Sequence, residues 1–409
     1  MTQRTAMVEA ARGDPSIAPL SDGRRSSLSI ALLLESDGPA GAERVLLHLA
    51  EALRDRGHAV CPLCPANGCG WLANEFQRRG FTPEPFEIRR LVDWRGLLGL
   101  VNTLRRRRVD LVHSHDFTMA VYGAAAAGIL RRPHVITMHG GRYFAGRWRR
   151  RVALRWAAGR SSAAVAVSAA LQADLATALR LPPATFPVVH NGIRPCVGSP
   201  EGVRRELGIG TEEPLIVAIG SLYPVKGHLV LLQAMRALLG NPGFAPCHVV
   251  IAGRGEEEAA LRAYAAAHGL APYVHLLGYR ADVADLLAAA DVFALPSLSE
   301  GVPLALLEAM FAGKGIAASG VGGVPEVVTS EREALLVPPE DPQALATALG
   351  RLLEDRALRH RLGEAARRRA EHAFTVDTMV DGYLRLYAGA VQRQRRHTPR
   401  LIATQDAPP

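Results

Sequence analysis

Lysine is almost missing from this chain: among 48 lysines and arginines only Lys226 and Lys314 are lysines, so nearly all positive charge is guanidinium. Cysteine is scarce too. Cys61, Cys64, Cys69, Cys196 and Cys247 are an odd five scattered through 409 residues, which argues against a secreted disulfide framework and for a reducing, cytoplasmic setting. Long apolar runs are also absent. Residues 1–27 mix charged residues with Pro and Gly and hold no signal-peptide core, and no stretch of the ~18 residues of a membrane span is continuously apolar, since the longest uncharged runs, 57–74 and 237–253, are broken by His, Asn, Pro and Gly. An integral membrane protein is therefore not expected.

What is present is length, apolar content and uneven charge. A chain of 409 residues that is 48% hydrophobic exceeds one core and suits two domains. Residues 1–197 carry 27 basic against 15 acidic side chains, the remainder 21 against 24. The basic half points to an anionic neighbour, such as a phospholipid surface, a lipid phosphate or nucleic acid. A codon bias toward Arg and Ala accounts for the same excess without any ligand.

Short β-branched or Leu-rich runs alternate with Ala/Leu/Arg stretches of helical period, the pattern of a parallel sheet covered by helices. Strands are expected at LSIALLLE from Leu28, GHAVCPLCP from Gly57, VDLVHSH from Val109, PHVITMHG from Pro133, AAVAVS from Ala163 and FPVVHNGI from Phe186. A helix from Ala42 lines up Val45, Leu46, Leu49 and Leu53 on one face. After a Gly/Pro/Ser-rich linker the alternation restarts with PLIVAIGS, HVVIAGRG, VHLLG, DVFALPS and GIAASG. The expected division is a tail (1–27), a first domain (28–197), a second domain (198–373), a terminal amphipathic helix (374–391) and a polar tail (392–409).

The stretch from Pro296 to Val328 carries the chemistry. A strand ending near Ser297 puts Glu300 at a cleft mouth, because doubly wound sheets bind ligands outside their strands' carboxyl ends. Pro303 suits the first helical position, so Glu308 follows in the helix and the two carboxylates can address different hydroxyl pairs of one long ligand. Gly322 and Gly323 before Pro325 can turn backbone N–H groups toward a diphosphate. Lys226, just after a strand and beside Gly227, can meet charge developing on a leaving phosphate. Gly253 and Gly255, flanking Arg254, close another strand end. The cluster His58, Cys61, Cys64 and Cys69 has two zinc-like intervals but reads as buried strand cysteines rather than a metal site. No G-x-G-x-x-G opens a helix after the first strand, which argues against a nicotinamide dehydrogenase.

In order and spacing these pieces resemble glycosyltransferase family 4, the group 1 glycosyl transferases with the GT-B fold: GAER from Gly41, TMHGG from Thr137, AVS ending at Ser168, NGI from Asn191, the PVKG lysine, LLGYRADVADLLAAADVFALPS from Leu276, the paired glutamates and GGVPE. The resemblance spans residues 28–391. It implies an α/β architecture of two Rossmann-like doubly wound domains facing a central cleft, with the terminal helix crossing back to the first domain. It also implies a retaining transferase moving a hexosyl unit from a UDP- or GDP-linked sugar to a glycan or lipid-linked acceptor, with no metal cofactor and no nucleic-acid partner. Lys226, Glu300 and His139 would act on the transferred sugar and its phosphate. Glu308, Gly41, Ser221, Arg254, Gly322, Gly323, Tyr279 and Arg280 would lie on the donor side. An epimerase or phosphorylase of the same fold, or a sugar-nucleotide-binding scaffold, are the alternatives.

This chain departs from the family pattern at four places: Ala40 stands for a glycine, Ser221 for an arginine, Gly315 for a proline and Arg194 for an acidic residue. The missing cation at residue 221 leaves Arg254, the Gly322–Gly323 backbone or magnesium in solution to neutralise the diphosphate. Finally, GRYFAGRWRRRVALRWAAGR from Gly141 combines Trp148 and Trp156 with dense arginine, which fits peripheral contact with an anionic membrane. The plainer alternative has the tryptophans packed inward.

Overall fold

A computed structural model describes residues 27–90, 92–140 and 147–397. The expected N-terminal tail up to residue 26, the 141–146 part of the arginine-rich segment and the end of the C-terminal tail lie outside them.

Two parallel six-stranded sheets form the frame. The first contains β1 (Ser29–Leu33), β2 (Ala59–Pro65), β3 (Glu84–Phe86), β4 (Leu111–His115), β5 (His134–Met138) and β6 (Ala163–Ala166), in the order β3-β2-β1-β4-β5-β6. The second contains β7 (Leu215–Ile219), β8 (His248–Ala252), β9 (Val274–Gly278), β10 (Val292–Leu295), β11 (Gly315–Ser319) and β12 (Leu335–Val337), in the order β12-β11-β10-β7-β8-β9. Both follow the dinucleotide-fold order, each with a switch point where the winding reverses: β1/β4 in one and β7/β10 in the other. Strand residues are buried on both faces, as parallel sheets require. Ile30 and Leu32 pack with Val45, Leu46, Leu49 and Leu53 of helix Gly41–Asp55, while Ala31 and Leu33 pack with Leu97, Leu100 and Met119 on the opposite side.

Three edge segments differ from expectation. Phe186–Ile193 is no strand; it makes only isolated bridges, Val188 to Ala166 and Ile193 to Thr375, because Pro187 has no N–H to continue a ladder. Conversely, β3 and β12, three residues each, carry too little periodicity to stand out in sequence.

The terminal helix, Val376–His397, crosses back to the first domain and buries Tyr383 and Tyr387 fully. Arg56 reaches it with ion pairs to Asp377 and Asp381. The crossing is tight at Gly192, where a Cβ would sit 2.1 Å from the Thr375 carbonyl oxygen. The helix continues beyond Val391 into the expected polar tail. Arg393 donates to the Ser162 carbonyl and Gln394 to that of Arg131, both at 3.0 Å, so first-domain loops hold the extension. No described helix is long and apolar enough to cross a membrane.

Candidate functional site

The segments leaving the switch-point strands carry Gly41, Ser221, Lys226, Glu300 and Glu308, and the other predicted residues follow neighbouring strands. After β7 comes a short 3-10 turn, Pro224–Lys226, ended by Gly227 at φ 65°; a Cβ on Gly227 would lie 2.0 Å from the Pro296 carbonyl oxygen. Only glycine lets that loop lie against the end of β10. The contact delivers Lys226 to Glu300: Nζ lies 2.7 Å from Oε1, and Ser297 Oγ donates to the same oxygen at 2.7 Å. The Glu300 side chain is 7% exposed and that of Lys226 27%, so the ammonium is the part of the pair open to the cleft. The other lysine differs. Lys314 donates to the carbonyls of Ala288 and Ala290, a packing role within the second domain.

Pro303 is the N-cap of the next helix, Leu304–Phe311, one position earlier than expected. Glu308 projects from it and meets Arg44 of the first domain, Oε1 to Nη2, at 2.7 Å. Its other oxygen, Oε2, is buried without a partner, and burial raises the carboxyl pKa against the opposing pull of Arg44. A half-satisfied carboxylate at the domain junction retains acceptor capacity for hydroxyls. Arg44 lies in the first turn of helix Gly41–Asp55, whose N-terminus receives no side-chain cap from Ala40. Nothing lies within 4 Å of where a Cβ on Gly41 would be.

His139 follows β5. Its N–H donates to Asp116 Oδ1 at 3.3 Å, and its Nε2 shares a hydrogen bond with His115 Nδ1 at 2.9 Å, the rings stacked at 5.2 Å. Behind them, His113 joins Tyr387 (2.7 Å) and Thr137 (2.8 Å), and Thr137 joins Tyr383, so the terminal helix braces this layer. Burial lowers the pKa of His113, His115 and His139, keeping the imidazoles neutral; Asp116 opposes this at His139. Neutral His139 is suited to orienting a hydroxyl rather than to neutralising phosphate charge.

Gly322 and Gly323 pack directly on the Glu300 loop. A Cβ on Gly322, at φ 50°, would fall 1.9 Å from the Glu300 carbonyl oxygen, and the Gly323 N–H donates to that carbonyl at 3.2 Å. The Gly323 donor expected for a diphosphate is thus engaged inside the protein, and the helix after it, Val324–Val327, is a single turn. The loop instead closes the two domains together. Gly301 and Gly323 lie against His139 and Ser168, Asn191 Nδ2 donates to the Val302 carbonyl at 2.9 Å, and Glu326 accepts from the N–H groups of Ala169 (2.7 Å) and Ala170 (2.8 Å). Glu326 therefore caps a first-domain helix, Ala169–Leu179, from the second domain. Arg44, Asn191 and Glu326 all stand inside GAER, NGI and GGVPE, but sequence gives no sign that their side chains reach across the domains.

The remaining donor-side residues separate. Leu222 donates to the Arg254 carbonyl at 2.9 Å, and Gly253 lies where a Cβ would meet the Gly220 carbonyl oxygen at 1.9 Å, so the Ser221 and Arg254 loops are packed together. Arg254 is exposed. Tyr279 is 41% exposed, whereas Arg280 is bound to Glu206 (2.6 Å) and Asp282 (2.6 Å) and ties helix Pro200–Leu207 to the loop after β9. The structure does not bring Arg280 into the Lys226–Glu300 cluster. The other departures also find partners. Arg194 pairs with Asp55 at 2.6 Å, and Gly315 leaves room for the Arg359 stem, 2.7 Å from where a Cβ would be. His58, Cys61, Cys64 and Cys69 are used separately: His58 Nδ1 accepts from the Leu28 N–H, Cys61 and Cys64 are buried in β2, and Cys69 donates to the Asp37 carbonyl.

With the Gly323 N–H engaged, exposed Arg254, on the loop packed against Ser221, is the candidate to test as substitute for the cation absent at residue 221. A charge-assisted hydrogen bond to an anion is worth about 1.5–3 kcal/mol, so Arg254→Ala is expected to weaken nucleoside diphosphate binding about tenfold or more. Ser221→Arg should restore part of that loss. Calorimetric titration of the single and double variants checks this, and unchanged affinity in all of them would place residue 221 away from the phosphates.

Comparison with known proteins agrees with this geometry. The glycosyltransferase family 4 model matches residues 39–195 and the glycosyl transferases group 1 model residues 201–369. The chain is 27% identical over 367 residues to the UDP-Gal:alpha-D-GlcNAc-diphosphoundecaprenol alpha-1,3-galactosyltransferase of Escherichia coli, covering 86% of this chain and 94% of that protein. It is 30% identical over 325 residues to the alpha-maltose-1-phosphate synthase of Mycolicibacterium smegmatis, covering 71% and 81%. Among solved structures, Anabaena HepE in complex with UDP-glucose superposes with a TM-score of 0.77 at 25% identity, over 88% of this chain and 99% of that one. The paired Rossmann-like domains, the crossing terminal helix and these matches across both halves make one case: this chain is a glycosyltransferase of the GT-B fold and belongs to the group 1 glycosyl transferases of glycosyltransferase family 4.

Proposed function

We propose that the protein transfers a hexosyl unit from a UDP-linked sugar to a lipid-linked acceptor, with retention of anomeric configuration. The observation that carries the reading is the arrangement of charge at the domain junction: the Lys226 ammonium over Glu300 on one loop, and Glu308 with an unfilled acceptor oxygen on the next helix. In this reading Glu308 accepts from the ribose hydroxyls and Lys226 faces the diphosphate. Glu300 accepts from the sugar hydroxyls, and His139 orients the sugar from the first domain. Catalysis then rests on positioning and on stabilising the leaving diphosphate, with no covalent intermediate on the protein. The UDP complexes of HepE and the UDP-Gal donor in the galactosyltransferase's name favour UDP over GDP, and the latter's diphosphoundecaprenol acceptor favours a lipid carrier.

The test is a panel of UDP- and GDP-linked hexoses, with and without diphosphoprenol-linked and soluble glycan acceptors, reading released nucleotide and product. Acceptor-dependent UDP release with an anomeric proton of the donor's configuration is the expected result, unaffected by chelator. Product formed without acceptor would indicate an epimerase, a requirement for inorganic phosphate a phosphorylase, and nucleotide binding without turnover a scaffold.

A further inference from the structure

Exposed apolar surface is concentrated in one layer of the first domain. Three helices lie side by side on one face of its sheet: Trp94–Arg106, Asp116–Leu130 and Trp148–Arg160. The middle one is clasped from both sides. Leu97, Leu100 and Leu104 pack with Met119 and Tyr122 in one cluster, and Leu154, Ala157 and Ala158 with Phe117 and Ala120 in another. With those faces buried, the flanking helices turn their other apolar residues outward. Trp94 is 71% exposed and Leu98 58%, one turn apart; Trp148 is 63%, Val152 58% and Trp156 40% exposed, at the four-residue spacing that keeps them on one side. The inward-packed alternative for Trp148 and Trp156 is therefore not what forms.

The charge around these stripes is predominantly positive, the N-cap Asp93 beside Trp94 being an exception. From Trp94 to Arg160 the sequence holds 14 arginines and no lysine, against two acidic residues, Asp110 and Asp116. Arg95, Arg149, Arg151 and Arg155 are exposed beside the tryptophans. Isolated exposed apolar side chains need no explanation, but two tryptophan-bearing stripes on the helices flanking one common neighbour, within an arginine-rich stretch of chain, do. Tryptophan with arginine suits the headgroup region of a bilayer: the ring partitions to the interface, the guanidinium pairs with lipid phosphate, and each basic group near an anionic surface adds attraction.

We infer that this helix layer docks the first domain on an anionic phospholipid surface. The placement bears on the site, because the flanking helices follow the parallel strands β3 and β5 and so begin at the edge of the sheet where ligands bind. Trp94 and Trp148 are the first residues of those helices, and His139 directly follows the strand preceding the second. A lipid-linked acceptor anchored in that surface would meet the cleft from its first-domain side. This last consequence rests on the transferase reading; the docking itself does not.

The experiment is co-sedimentation of the full chain with phosphatidylcholine vesicles, with and without phosphatidylglycerol, for wild type and two surface variants. One is W94S/W148S/W156S; the other is R95E/R149E/R151E. Wild type should partition onto the anionic vesicles at least about tenfold better than onto neutral ones, less so at high salt. Both variants should lose most of that binding while keeping the wild-type circular dichroism spectrum and nucleotide affinity. Equal partitioning of wild type on both lipids, or variants that bind like wild type, would overturn the proposal. So would variants whose only change is loss of self-association in sedimentation, which would make the layer a subunit contact. Failure of the transferase reading shows differently, as intact vesicle binding with no sugar transferred to any acceptor.

Discussion

Lys226→Ala is expected to lower kcat about 10²–10³-fold, the usual loss when a donor to developing negative charge is removed. The ammonium is held by Glu300 at 2.7 Å, on a turn that Gly227 locks against the end of β10. Its position is therefore set before substrate arrives, and pre-organisation is what gives such a charge its effect on the transition state. The truncation also leaves the nearly buried Glu300 carboxylate with Ser297 as its remaining neighbour in the pair, so the variant should bind donor less well in addition. The two glutamates should separate kinetically. If Glu308 accepts from ribose as proposed, Glu308→Ala should chiefly raise the donor KM through loss of its open oxygen, whereas Glu300→Ala should chiefly lower kcat. Steady-state kinetics with calorimetric UDP binding distinguish these effects. Near-wild-type turnover in all three variants would remove the assignment of this junction as the active site.

The second large effect is on stability in mild acid. Burial lowers the pKa of His134 to about 3 and of His228 to about 4, and pushes His113 and His115 well below the ordinary value. All four are at most 2% exposed. The unfolded chain takes up protons on these groups near pH 6.5 while the folded chain does not, so their contribution is fully present above that pH. It is lost as pH falls toward the folded-state values. Each such histidine contributes a slope of up to about 1.4 kcal/mol per pH unit in that window. Four acting together would consume a typical stability of about 5–15 kcal/mol within two or three pH units. Glu43 and Glu308 act in the opposite sense, because burial raises their pKa and protonation favours the folded state, so they offset part of the loss. The expected outcome is a melting temperature that is level from pH 8 to about 6.5 and falls steeply below pH 6. A profile flat down to pH 5 would mean that these histidines have access to solvent or to a proton acceptor.

The histidines also show what was legible in the sequence. VHSH and TMHGG could be placed at strand ends, and His139 carried a role by resemblance. The stack of His113, His115 and His139 braced by Tyr383 and Tyr387 joins positions up to 274 residues apart, which local patterning cannot reveal. The same division holds at the edges of the sheets. Buried central strands announced themselves as short, nearly continuous apolar runs, while β3 and β12 were too short to register and Pro187 reduced an apparent strand to isolated bridges.

By itself the sequence determined the two α/β domains, the helix faces that must pack, and the loops on which Lys226, Glu300 and Glu308 stand. Those features follow from hydrophobic period, from glycine and proline in turns, and from the strand-to-loop order of a doubly wound sheet, all of which act over a few residues. Only the tertiary structure decided which groups face one another across the domains. Arg44 meets Glu308, Asn191 holds the Glu300 loop through Val302, and Glu326 caps the helix after Ser168. It likewise turned the Gly323 donor inward, committed Arg280 to Glu206 and Asp282, and left Trp94, Trp148 and Trp156 outside. Such pairings depend on where the two sheets are set against each other, and on which face of each helix the neighbouring helices bury, so no local spacing encodes them.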